Sequence, residues 1–182
     1  MIIRINFELI TKNPSLYLGF FIFLNVMKYR QLTKEQFESL HKEFAQFLAT
    51  QKIDIDEWNK MKSQNSALVE DELNLFSDLV WEGVLSKVEY LENIAPQHMY
   101  LFKVNGSQLR LIGLKIKTNG IDLTTKEGFG WLRDNLMSDD VELFNADKTL
   151  EADKNAKLFE LIVQGSSITK GELFKYLDDL IG

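Results

Sequence analysis

The spacing of apolar residues along this chain first changes at Pro96, from three or four residues to two. A helix buries the first pattern and a strand the second, so the fold must contain both. Before Pro96, Thr33 and Gln36 fit the S/T-x-x-E/Q capping box, in which two side chains satisfy backbone N–H groups at a helix start. Phe37, Leu40, Phe44 and Phe47 follow at helical spacing and predict one helix to about Gln51 with an aromatic face. Asp54 is placed to cap a short second helix holding Trp58 and Met61. Asn65 and Ser66 then open the longest periodic stretch, the stripe Val69, Leu73, Phe76, Val80, Val84, Val88 and Leu91. Read as one helix from about residue 67 to 92, it would be roughly 40 Å long. That length crosses a domain of this size, either as a straight central spine or with a bend near Gly83.

After Pro96, residues 99–104 and 108–116 alternate and flank Asn105 and Gly106, which predicts a hairpin through a type I′ turn. Asn119 and Gly120 turn the chain again. Thr124 or Thr125 opens a helix through Phe129, Leu132 and Leu136, with Glu127 completing a box if Thr124 is the cap. Residues 141–144 read as a short strand, and a helix carrying Leu158, Phe159 and Ile162 ends at Gly165. Thr169 and Glu172 form a last box ahead of Leu173, Leu177 and Leu180. The expected class is α+β. A helical half over 27–95, with one long central helix, precedes a half over 96–182 with a β-hairpin, one short strand and three helices. No low-complexity linker separates them, so one shared core is expected.

Residues 1–26 differ from the rest: 16–24 are apolar throughout, and Glu8 is the sole acid. A transmembrane helix needs about 20 apolar residues, and this run offers roughly a dozen before Lys28 and Arg30. A signal peptide would have a cleaner basic start and a small-x-small cleavage site. The third reading treats 1–26 as an upstream, non-native extension. Its Ile, Phe, Asn, Lys and Tyr have AT-rich codons, and Met27 leads directly into the Thr33 helix start. This is the reading we expect; with it there is no membrane segment and the location is cytoplasmic.

Chemistry is limited by what the chain lacks. It has no cysteine, hence no disulfide, thiolate nucleophile or cysteine zinc site. Lys and Arg number 21 against 27 Asp and Glu, a net charge of −6 that argues against a sequence-independent grip on nucleic acid. The two histidines read as structural: His41 at the apolar edge of the first helix, and His98 in a solvated link after Pro96. Phosphate-binding glycine loops, the G-x-S-x-G elbow and the H-E-x-x-H zinc motif are all missing. Residues 54–57 suggest calcium only superficially, because no EF-hand ligand ladder follows. No metal or cofactor is expected.

Carboxylates gather on the long helix. Asp71, Asp78, Glu82 and Glu89 project to the side opposite Phe76 if the helix runs to residue 92. A solvated face accounts for them, and a buried acid–base pair is the alternative. Trp81 and Leu85 sit among them, where an amphipathic helix should be polar. They are either core beneath the C-terminal half, or an exposed interaction spot rimmed by Asp78 and Glu82.

Residues 27–35, 76–82 with 88–92, 122–128 and 168–173 resemble a family of small uncharacterised proteins from Bacteroidota. The resemblance spans about 27–181 and omits the first 26 residues. It implies no established activity and supplies no site residues. A histidyl-tRNA synthetase label borne by some of those proteins does not suit so short and acidic a chain. The expected function is a non-enzymatic interaction or adaptor protein, taking an unidentified protein partner or a second copy of itself. The alternative is a small enzyme or ligand binder using the carboxylate face, and a translation-associated factor comes third.

Overall fold

The computed structural model describes residues 27–150 and 153–181, so the expectations for 1–26 lie outside the described residues. The chain forms two compact units, one ending at Ser86 and one beginning at Lys87. Among the described residues the first holds helices α1 (Lys34–Ser39), α2 (His41–Thr50), α3 (Ile55–Gln64) and α4 (Ser66–Leu85).

In this unit the predicted caps are present. Thr33 Oγ1 accepts the Gln36 N–H at 3.3 Å and Gln36 Oε1 accepts the Thr33 N–H at 2.8 Å. Asp54 caps α3 through the Glu57 N–H at 2.8 Å, and Asn65 caps α4 through the Leu68 N–H at 3.3 Å. The single helix expected to reach Gln51 is instead two, broken at Leu40. Ser39 Oγ donates to the Gln36 carbonyl at 2.8 Å and His41 Nδ1 lies 2.9 Å from the Glu38 carbonyl. Both side chains compete for groups that a continuous helix would use itself. The aromatic face then closes on α4: the Phe76 ring lies 5.0 Å from Phe44, 5.4 Å from Phe47 and 5.9 Å from Phe37.

Helix α4 stops at Leu85, not near residue 92. Its 20 residues span about 30 Å. Val88 and Leu91 keep a helical spacing, but Tyr90 and Leu91 are both buried, one on each face of a strand. That double burial is what a central strand achieves and an amphipathic helix does not.

The second unit is built on a five-stranded antiparallel sheet of β1 (Tyr90–Ala95), β2 (His98–Asn105), β3 (Gln108–Ile116), β4 (Val141–Thr149) and β5 (Ser167–Thr169). Its spatial order is β4-β3-β2-β1-β5. Helices α5 (Lys126–Asn135), α6 (Lys154–Val163) and α7 (Glu172–Ile181) complete it. Met99, Leu101, Ile112, Leu114 and Ile116 share one face and form a core with Leu132 and Leu136 from the α5 end, and with Phe174 and Leu177 from α7. The α+β class therefore holds, with a larger sheet than expected.

Four local expectations change. His98 is no loop residue; it opens β2, paired with Ala95 across a turn of Pro96 and Gln97. The strand over 141–144 continues to Thr149. Thr169 ends β5 and does not cap a helix; its Oγ1 donates to Glu92 Oε1 at 3.0 Å and accepts the Gly171 N–H at 3.1 Å. In the hairpin, Asn105 pairs with Gln108, so the turn residues are Gly106 and Ser107. Gly106 has φ +59° and Ser107 is not positive, the pattern of a type II′ turn and not of type I′.

A Cβ at Gly106 would meet no atom within 4 Å, so substitution there acts through φ alone. Gly106→Val should destabilise the chain by about 1 kcal/mol or more in chemical denaturation, and a neutral result would misplace the turn.

Candidate functional site

The residues singled out on α4 fasten the segment over 28–32 along the helix. Asp78 is 3% exposed, and its two oxygens accept the backbone N–H groups of Lys28 at 2.7 Å and Tyr29 at 2.9 Å. Ser77 Oγ accepts the Leu32 N–H at 3.1 Å and donates to the Leu73 carbonyl at 2.6 Å. Trp81 is 5% exposed; its Nε1–H donates to the Arg30 carbonyl at 3.0 Å, and the Arg30 guanidinium lies 5.4 Å from its ring centre. Gln31 Nε2 donates to Glu70 Oε1 at 2.8 Å and Asn74 Oδ1 at 2.9 Å. Glu82 Oε2 accepts the Tyr29 hydroxyl and pairs with Lys28 Nζ at 3.2 Å. Leu85 is fully buried.

This arrangement is a clamp. Residues 28–32 lie in no helix or strand, so their backbone groups need other partners, and side chains of α4 supply several of them. Burial raises the Asp78 carboxyl above its ordinary range, and the two backbone N–H groups oppose that rise. Burial, reinforced by the hydrogen bond to Glu82, raises the Tyr29 hydroxyl far above the ordinary phenol value. Of the four carboxylates grouped by sequence, Asp71, Asp78 and Glu82 keep one stripe of α4, with Asp71 exposed, while exposed Glu89 lies beyond the helix. Asp78 and Glu82 spend their oxygens on the 28–32 segment, which is holding chemistry.

A second feature appears on the sheet face opposite the α5 and α7 core. Tyr100 is the register partner of Gly113, and Gly113 that of Phe144. A Cβ on Gly113 would lie 2.3 Å from the Phe144 ring, so the glycine is what lets that ring lie across β3. The Phe144 ring lies 6.2 Å from Tyr100, which lies 4.9 Å from His98. Phe144 remains 39% exposed. Lys115 and Glu142 form the neighbouring cross-strand pair, and both are exposed. Asn93, paired with Tyr100, donates Nδ2–H to the Gln164 carbonyl at 3.0 Å, so the end of α6 bounds this strip.

Beside the strip runs an open edge. Among the described residues β4 pairs with β3 alone. Lys117 N–H donates to Asp140 O at 2.9 Å and Leu150 N–H to Ser107 O at 2.7 Å, continuing the β3–β4 register at both ends. Backbone groups alternate in direction along such a ladder. Glu142, Phe144, Ala146 and Lys148 therefore bond β3, while Leu143, Asn145 and Asp147 point theirs outward. Ring faces and a row of outward strand backbone are the groups that strand-addition surfaces present. Among the described residues no group of three His, Asp or Glu could hold a metal, and no helix is long and apolar enough to cross a membrane.

Sequence reasoning missed this strip. Its one signal was Gly113, a glycine inside an alternating run, which marks a close approach. His41, by contrast, is exposed on α2 and engaged with its own helix junction.

These elements define an α+β protein made of a helical unit and an antiparallel-sheet unit. The chain belongs to a family of unknown function (DUF6495), whose model matches residues 27–182. No curated protein and no solved structure matches it.

Two outcomes test the clamp. Trp81→Ala should cost about 3–5 kcal/mol of unfolding free energy, as buried Trp truncations do. The raised Tyr29 hydroxyl contributes stability that is whole below about pH 10 and is lost as pH climbs toward its folded value. The stability difference between wild type and Tyr29→Phe should thus be flat below that pH and shrink above it in pH-resolved denaturation. A difference that stays constant into strong alkali would contradict the burial of this hydroxyl.

Proposed function

We propose that this protein is a non-enzymatic interaction protein, and that its partner docks on the open edge of β4 with Phe144, Tyr100 and His98 beside it. The observation that carries this reading is the outward backbone row of a nine-residue edge strand next to an exposed aromatic ring. A strand edge left open is a template for another strand, and folds that do not use it usually shorten or cover it. Backbone pairing supplies affinity and the flanking side chains supply selectivity.

The partner we propose is a protein and not a nucleic acid. Lys115 at the strip is matched by Glu142 beside it, and a chain of net charge −6 lacks the basic field that phosphate binding needs. The compartment we propose is the cytoplasm, where a chain without cysteine has no disulfide to lose.

Site-specific photo-crosslinking in cells tests the reading. A photoreactive side chain at Ala146 of the full chain should yield a protein adduct that the same group at Lys126, exposed on α5, does not. Asn145→Pro removes one outward N–H without touching the β3 ladder, so it should abolish the adduct and leave thermal unfolding nearly unchanged. Adducts that survive Asn145→Pro, or that form equally from Lys126, would overturn the edge as the docking site.

A further inference from the structure

We infer that the strand seated on the β4 edge is the β4 strand of a second copy of this chain, antiparallel and centred on Asn145. The inference rests on the edge-docking reading above and names its partner. The distribution of charges along the strand selects both this partner and its register. Two identical antiparallel strands related by a two-fold axis pair residues whose numbers have a constant sum. The outward rows face one another whenever the axis passes between a residue and its own counterpart, so Leu143, Phe144, Asn145, Ala146 and Asp147 are the possible centres. Centring on Phe144 or on Ala146 overlaps seven residues of the strand and does not set Glu142 against Lys148.

Centring on Leu143 overlaps only residues 141–145 and sets Glu142 against Phe144. Centring on Asp147 places two like charges directly opposite one another, which is destabilising. Centring on Asn145 overlaps all nine residues of the strand. It sets Glu142 against Lys148 of the second copy, and Lys148 against its Glu142. Phe144 meets Ala146 of the second copy, a large ring against a small side chain.

Both favourable pairings fall at non-hydrogen-bonded positions, where opposed side chains approach most closely. Glu142, Ala146 and Lys148 are exposed, so nothing within the described residues must move aside. Glu142, Phe144, Ala146 and Lys148 all lie on the aromatic face, and the strip would continue across the junction. On the helix-covered face Leu143 meets Asp147, which already stands opposite Arg110. Charges on an edge strand ordinarily repel a passing strand. Placed three residues to either side of Asn145 with opposite sign, Glu142 and Lys148 instead select this register.

Charge exchange in the purified full chain, followed by sedimentation equilibrium, tests the inference. Wild type should form a dimer. Glu142→Lys alone and Lys148→Glu alone should each weaken it by about tenfold or more, since either change sets like charges opposite at both symmetric positions. A mixture of these two single variants should dimerise as well as wild type, because the mixed pair restores both attractions. The double variant should self-associate, yet should pair poorly with wild type. A chain monomeric at high micromolar concentration would overturn self-pairing, while leaving the edge open to another protein that crosslinking from Ala146 would still detect. A dimer indifferent to these exchanges would overturn the β4 register. Asn145→Pro, which leaves both charges in place, should abolish the dimer; persistence of the dimer in that variant would also overturn the inference.

Discussion

The second unit depends on the two-sided ladder of β2 and β3. Met99, Leu101, Ile112 and Leu114 are each at most 1% exposed and alternate strictly with residues of the other face. A slip of one residue would turn this whole apolar set outward, so the register is held by burial as well as by hydrogen bonds. That register brings Gly113 between Tyr100 and Phe144, and it decides which backbone groups of β4 face away from the sheet. The aromatic strip is therefore a consequence of core packing on the opposite side.

The helical unit solves a different problem. Residues 28–32 lie in no helix or strand, and α4 holds them with side chains from Glu70 to Glu82. Removing a partner from such a set leaves a buried polar group unpaired, which costs more than the bond itself contributes. Asp78, Trp81 and Glu82 hold this segment, which gives a structural reason for a mixed acidic and aromatic stretch on one helix.

Much of the fold was legible where the signal is local. Thr33, Asp54 and Asn65 cap within three residues of themselves, so their motifs survive any tertiary context. The aromatic stripe of α1 and α2 was legible because Phe76 repeats it on α4. Other features depend on partners distant in sequence. Val84, Val88 and Leu91 imitate a continuing helix, and only the pairing of β1 with β2 and β5 ends the pattern. β4 hides its length because Asn145, Asp147 and Thr149 are polar on an exposed edge and show no alternation. The clamp was unreadable for the same reason: Trp81 among acids suggests either core or anchor until the 28–32 segment is seen lying across it. The α+β class itself followed from the change of period at Pro96, although the sheet begins one strand earlier.

Among the described residues, β4 has one side satisfied by β3 and one side open. Amide-resolved hydrogen exchange by NMR on the full chain, at low and high concentration, reads this directly. Phe144 and Ala146, bonded to β3, should exchange slowly at both concentrations. Leu143, Asn145 and Asp147 should exchange fast when dilute and slow when concentrated, as a second strand covers them. Slow exchange of these three amides in the dilute sample would mean that the edge is already covered within one chain, and would contradict the account.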